Sequence, residues 1–219
     1  MQNTPRFSIL SDLVAQLFWF SRPIVRYLHH EKQTTHHTME EREYLEQYEK
    51  RLEKLLAGIC GSQGGMFLVE ELEERWTEDA PEYMADAVPQ IADYPTVSVA
   101  WAAYLGMAVA FGWDKDWKEC LQMSYTSYYG EQGFDDMDEQ IVHKVLGLLP
   151  DGYETRALED MIRRCGEATV SRIRHEHIEP QSPMAFYVFA RSCKVMYRIG
   201  AAIELKRLGY KFEKVDLNH

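Results

Sequence analysis

Acidic residues and one histidine cluster between positions 135 and 143, in the stretch DDMDEQIVH. Carboxylates are the ligands that hard divalent cations prefer, and a bound cation can grip a diphosphate or activate water. On a helix, two residues four positions apart share a face. The stretch therefore raises the hypothesis of a metal-dependent hydrolase or lyase whose ligands are Asp135, Asp136, Glu139 and His143.

The first five residues of this stretch fit the pattern DDxxE and resemble the aspartate-rich motif of all-helical prenyl-diphosphate enzymes. The resemblance implies magnesium held for a diphosphate substrate. Those enzymes need a second metal-binding segment on a facing helix, which is not found here, and 219 residues is short for that fold. The helix dipole alone favours acids at a helix start, and this simpler explanation is preferred.

Histidines form a second candidate site, at His29, His30, His36 and His37. Imidazoles bind zinc and copper, but neither an HExxH pattern nor a matched cysteine pair accompanies them. We interpret residues 29–38 as a polar joint between two helices. His175, near the end of a later helix, is explained by helix-terminal charge effects.

Other catalytic signatures are incomplete. The stretch EELEE at 70–74 matches half of the carboxylate set of helical nucleotide pyrophosphohydrolases, and the other half is missing downstream. The sequence contains no glycine-rich phosphate loop, no GxSxG elbow and no Glu-x-x-His motif. These absences favour a non-enzymatic protein and leave the identity of any cofactor open.

Two further groups of side chains are candidates for ligand contacts. Arg191, Lys194 and Arg198 share one face of the last helix. There they bind a phosphate, dock against the acidic middle of the same chain, or are merely solvated. Three cations are too few for a convincing groove, so docking within the chain or simple solvation is preferred. Aromatic residues also crowd one predicted helical hairpin, where they pack a core or line a small cavity, with core packing preferred: Trp101, Tyr104, Trp113, Trp117, Tyr125, Tyr128 and Tyr129.

Negative charge is concentrated in the middle of the chain. Residues 61–150 contain seventeen acidic and four basic residues, a balance of −13, while the whole chain carries −11. Such a surface repels phosphate backbones, so we predict no nucleic-acid partner. It keeps the protein soluble or faces a basic protein partner. The helix predicted over 39–60 is a second docking candidate. Its two heptads also allow a homodimer, although packing within the same chain is preferred. Its inward positions are predicted at steps of three and four: Leu45, Tyr48, Leu52, Leu55 and Ile59.

The longest uncharged run is Tyr94–Trp113, rich in Ala, Val and aromatic residues. It is flanked by Asp93 and Asp114 and not by cationic anchors, so we predict a buried core helix and no membrane span. No targeting segment is evident at the amino terminus. The four cysteines, Cys60, Cys120, Cys165 and Cys193, are far apart in sequence and are predicted to be reduced core thiols of a cytoplasmic protein.

Apolar residues recur at helical spacing in most other segments, and no segment alternates convincingly. The pattern predicts an all-α fold, an irregular bundle of about seven to eight helices around a buried central helix at about 94–113. The chain is treated as one domain, 1–219, with the polar joint at 29–38. The predicted helices cover 8–28, 39–60, 66–76, 94–113, 117–128, 135–149, 153–178 and 183–208, with an irregular turn or two at 81–91.

Overall fold

The computed structural model describes residues 37–61 and 69–211. By packing, the chain divides into two units, Met1–Tyr44 and Leu45–His219. The described residues contain no β-strand, which confirms the all-α prediction for that part of the chain. They form six α-helices: α1 His37–Ile59, α2 Glu70–Gln90, α3 Pro95–Gln122, α4 Met137–Glu139, α5 Tyr153–His175 and α6 Pro183–Arg207.

The number of helices differs from the seven to eight that we predicted. The helix predicted over 8–28 lies outside the described residues, and so does nearly all of the joint at 29–38, whose last two residues already belong to α1. The elements predicted at 66–76 and 81–91 form one helix, α2, within the described residues, and positions 66–68 lie outside them. Pro81 lies inside it, although a proline in a helix interior removes a hydrogen bond at a cost of about 3 kcal/mol.

The central helix is α3, and it is longer than the sequence predicted. Its residues from Ser98 to Ala110 are buried, and it packs against α2, α5 and α6. The backbone leaves helical geometry at Asp116, where the side-chain Oδ1 accepts a hydrogen bond from the backbone N of Glu119 at 3.0 Å. The helix that we predicted to end at about Trp113 therefore continues to Asp116, whose side chain caps the next turn.

Two glycines allow α3 and α6 to pack backbone against backbone. A Cβ atom on Gly200 would lie 1.8 Å from the backbone oxygen of Ala103, and one on Gly106 would lie 2.0 Å from that of Tyr197. Both distances are far below van der Waals contact. The closest contact between these helices therefore requires glycine at both positions.

Between α3 and α5 the chain is irregular, although the sequence predicted one regular helix over 135–149. Tyr125–Tyr128 and Phe134–Asp136 are 3₁₀ turns, and α4 continues into a π-helical segment, Gln140–Val145. Ile141 and Val142 are buried there as consecutive residues. The predicted metal site is divided among these elements: Asp135 and Asp136 lie in the second 3₁₀ turn, Glu139 ends α4, and His143 lies in the π-helical segment.

Candidate functional site

The two aspartates of the predicted metal site have structural partners. Both carboxylate oxygens of Asp136 accept hydrogen bonds from the backbone N of Gln132, at 3.1 and 2.9 Å. The Asp136 carboxylate also covers Gly130, where a Cβ atom would lie 2.4 Å from its Cγ. Asp135 is exposed and accepts a hydrogen bond from Gln90 Nε2 at 3.3 Å. Asp136 therefore braces the turn that precedes α4.

The other two predicted ligands do not join the aspartates. Glu139 is exposed, and His143 Nδ1 lies 2.9 Å from the backbone oxygen of Leu148. The predicted shared face assumed an α-helical register, but the 3₁₀ turn and the π-helical segment change the rotation per residue. Among the described residues, no three His, Cys, Asp or Glu side chains are grouped so that they could hold a metal ion.

The basic stripe of α6 pairs with acidic residues of the same chain, although only one of them, Glu73, belongs to the acidic middle at 61–150. The Arg198 guanidinium pairs with three carboxylates: Glu49 at 2.7 Å, Glu53, and Glu73 through Nε and also through Nη2 at 3.0 Å. Only 19% of the Arg198 side chain is exposed. The stripe is thus half-buried where α6 meets α1 and α2.

Arg191 and Lys194 complete this ion network. Arg191 Nη1 lies 2.6 Å from Glu49 Oε2, and Lys194 Nζ lies 3.2 Å from Glu73 Oε2. Burial opposes the charge of Glu73, but the hydrogen bond and charge of Arg198, with help from Lys194, lower its pKa below the ordinary 4.5. Three cations thus meet three carboxylates, which removes the stripe as a phosphate site.

The exposed face of α2 contrasts with the ion network. Of the exposed glutamates of α2 that make no ion pair with any described residue, four follow one side of the helix: Glu71, Glu74, Glu78 and Glu82. They lie at offsets of three, seven and eleven, which places them along one side of the helix. We call this set the acidic ridge. At 1.5 Å per residue it is about 16 Å long.

A buried ion pair, which the sequence analysis missed, holds α2 against the end of α3. Arg75 Nε donates to Asp79 Oδ2 at 2.8 Å, and its Nη atoms donate to the backbone oxygens of Cys120 and Met123 at 3.3 and 2.8 Å. Burial raises the pKa of Asp79, and Arg75 opposes that shift. The sequence shows an arginine and an aspartate four positions apart, but this spacing does not indicate that the pair is buried.

The aromatic residues pack on one another and on the core. The rings of Trp101 and Phe134 lie 4.7 Å apart, nearly perpendicular, and Tyr125 meets Tyr83 in the same way at 6.4 Å. The hydroxyl of Tyr125 donates to Asp86 at 3.1 Å, and that of Tyr129 donates to the same carboxylate oxygen. Burial and the negative charge of Asp86 raise the pKa of both tyrosines, so these hydroxyls remain proton donors.

An open groove lies beside the end of α5. Its volume is about 360 Å³. The imidazole Nδ1 of His175 is 2.6 Å from the backbone oxygen of Ser171, which fits the predicted helix-terminal role of this histidine. The groove is lined by Thr96, Glu167, Val170, Ser171, Arg174 and His175.

The apolar stripe of α1 is used within the chain. Leu45, Tyr48 and Leu52 are buried as predicted, and Tyr48 hydroxyl lies 2.6 Å from Ser192 Oγ of α6. Leu56 is buried in place of the predicted Leu55, which is 43% exposed. The seam that would form a coiled coil with a second chain is therefore covered by the protein itself.

One described helix, α3, is long and apolar enough to cross a membrane by length and composition alone. Of its most apolar window, 72% is buried inside the protein. Core helices pass the same test, and this burial is what a core helix requires.

Comparison of the chain with protein-family models, curated proteins and solved structures finds no match. No function is therefore transferred from a relative.

Proposed function

We propose that this protein is a non-enzymatic interaction protein that presents the acidic ridge of α2 to a basic partner protein. The proposal rests on one contrast. Glu73, on the same helix, is neutralised by Arg198 and Lys194, while the ridge glutamates have no cation among the described residues. The chain thus neutralises one face of α2 and leaves the other charged.

The dimensions of the ridge suit an extended basic surface. Exposed charges interact over about 8 Å at physiological ionic strength, so four carboxylates along about 16 Å act as one continuous negative field. Such a field accelerates encounter with a cationic partner and repels nucleic acid and anionic lipid. The four free cysteines fit a cytoplasmic location, which remains a prediction.

The role of α1 in docking is smaller under this proposal than the sequence suggested. Its apolar stripe is buried, so only its polar face and Leu55 are open to a partner. A homodimer through α1 would have to use that polar face. We therefore place the partner surface on α2 and treat a homodimer as an outcome to be measured by sedimentation velocity.

Charge reversal tests the ridge directly. We expect Glu71→Lys, Glu74→Lys and Glu78→Lys together to abolish capture of a specific basic partner by the full-length protein, and we expect wild-type capture to weaken as salt rises. The matched control carries the same charge change at exposed glutamates elsewhere, Glu119→Lys, Glu131→Lys and Glu159→Lys. Equal capture by both triple variants would refute the ridge as the binding surface.

A further inference from the structure

Two cysteines that are distant in sequence lie next to each other in the fold. Sγ of Cys60 is 3.6 Å from Sγ of Cys165, although 105 positions separate them. Cys60 is half-buried directly after the last residue of α1, and Cys165 is buried within α5. Residues so far apart carry no spacing pattern, so the sequence predicted four separate core thiols.

The surroundings of the two sulfurs differ. The hydrogen bond from Cys165, together with the positive charges of Lys206 and Arg164, lowers the pKa of Cys60. The thiolate is the nucleophilic form of cysteine, so the half-buried Cys60 is the sulfur able to react with a reagent from solvent. Cys165 is held behind it as a protonated thiol.

The other two cysteines have no such arrangement. Sγ of Cys120 is 3.9 Å from the hydroxyl of Tyr128, and Sγ of Cys193 is 3.8 Å from the backbone oxygen of Ser98. Both are buried, and burial raises the pKa of each thiol. They serve as internal reference thiols in the same chain.

We propose that Cys60 and Cys165 are an oxidant-responsive thiol pair that closes to an intramolecular disulfide when a peroxide oxidises Cys60. The Cys60 thiolate attacks the O–O bond, and with one proton this yields a sulfenic acid and water. Sγ of Cys165 then attacks the sulfenic sulfur, its proton leaves with the hydroxyl group as a second water, and the S–S bond forms. Two thiols and one peroxide become one disulfide and two waters.

The geometry allows this closure with a small movement. A disulfide brings the sulfurs to about 2.05 Å, so they must approach by about 1.5 Å, which is within the reach of a side-chain rotation. Cys60 lies at a helix end beside Gly61, whose positive φ of 64° ends α1. The bond would tie the end of α1 to α5 and close a loop of more than a hundred residues, which restricts the unfolded chain.

Oxidation of the full-length wild-type protein with a few equivalents of hydrogen peroxide tests the pair. We expect two of the four thiols to be lost, the intact mass to fall by the two thiol hydrogens, and peptide mapping to find Cys60 joined to Cys165. Cys120 and Cys193 should still be alkylated after denaturation. The melting temperature should rise by several degrees and return when dithiothreitol is added.

Variants and a denatured control complete the test. In Cys60→Ser all remaining thiols should survive the same treatment, and in Cys165→Ala the oxidation should stop at sulfenic or sulfinic acid on Cys60. The mapping of wild-type protein needs no variant, so it decides the question even if Cys165→Ala fails to fold. Overoxidation of Cys60 without linkage, a bond between two chains, or equal linkage yield in guanidinium would each overturn the proposal.

Discussion

Glu73 and Glu74 are consecutive residues of α2 with different surroundings. Glu73 is half-buried and paired with Arg198 and Lys194, whereas Glu74 is exposed and belongs to the acidic ridge. Successive helical residues are rotated by roughly 100°, so neighbours reach different faces. Residue type alone therefore does not decide whether a glutamate on this helix contributes to the fold or to an interaction surface.

The pairing of Glu73 gives a pH dependence with a definite sign. Its pKa is lower in the folded protein than the ordinary 4.5, so the stabilisation it provides is present above that value and is lost as the pH falls through the folded pKa. We expect the free energy of unfolding, measured by urea titration between pH 3 and about pH 6, to fall less steeply on acidification in Glu73→Gln than in wild type.

Glu74→Gln is the matched control for that experiment, and it should follow the wild-type curve because Glu74 has no ion pair among the described residues. Asp79 acts in the opposite direction, because burial raises its pKa, but it is unchanged in both variants. Identical acid branches for wild type and Glu73→Gln would show that the pairing does not contribute to stability.

Substitution of Asp136 tests whether this residue has a structural role or binds a metal ion. We expect Asp136→Ala to lower the free energy of unfolding by about 1 kcal/mol through loss of the hydrogen bonds to Gln132. Thermal melts with and without Mg²⁺, Mn²⁺ or Zn²⁺ should show this loss equally. Asp135→Ala, at an exposed position with one long contact, should melt close to wild type. A metal-induced shift that both variants abolish would support the metal-dependent alternative instead.

At the scale of elements, burial overrides the local preference of the chain. Pro81 favours a break in α2, and two separate elements were predicted on either side of residues 77–80. The inward positions Leu72, Trp76, Tyr83 and Ala87 nevertheless keep helical spacing across Pro81 and are all buried. Burying a large apolar side chain contributes about 1.5–3 kcal/mol, so several such side chains exceed the cost of one interior proline.

The contact between α3 and α6 depends on the missing side chain of Gly200. We expect Gly200→Ala to destabilise the protein by about 3 kcal/mol or more, because the new Cβ would overlap the backbone oxygen of Ala103. Gly58→Ala on α1 is the control, since no atom lies within 4 Å of its Cβ position. That change should stabilise by up to about 0.5 kcal/mol through helix propensity. Chemical denaturation measures both, and equal effects would contradict the close backbone contact.

At the scale of the whole protein, the ion network joins three helices that are far apart in sequence. Arg198 on α6 meets Glu73 on α2 and Glu49 on α1, across separations of 125 and 149 positions. The network occupies one side of α6, while the other side packs on α3. The charged side chains of the network therefore hold the three helices together and are not available to a ligand.

Removing Arg198 should leave three carboxylates close together without their shared cation. We expect Arg198→Ala to lower the free energy of unfolding by about 2 kcal/mol, because three half-buried carboxylates then lose the cation that they share. Arg163→Ala is the matched control: it removes an arginine that also pairs with two carboxylates, Asp160 and Glu167, at an exposed site. Its melting temperature should match wild type. Similar losses in both variants would mean that burial of the network adds nothing.

The helical class, the central position of α3 and most of the buried stripe of α1 follow from the amino-acid sequence alone. An uncharged run such as Tyr94–Trp113 is stable in a folded protein only when other elements cover it, and apolar residues at helical spacing define which side is covered. These are local patterns that one segment carries alone.

The tertiary structure decided the rest. The segment predicted as one helix over 135–149 contains a 3₁₀ turn and a π-helical segment. The four expected metal ligands are therefore not grouped as a metal site. The packing of the helices also brings Glu73, and not Glu74, to Arg198, and it brings Cys60 next to Cys165. Contacts between residues that are distant in sequence depend on how whole helices pack, and no periodic pattern in the sequence indicates them.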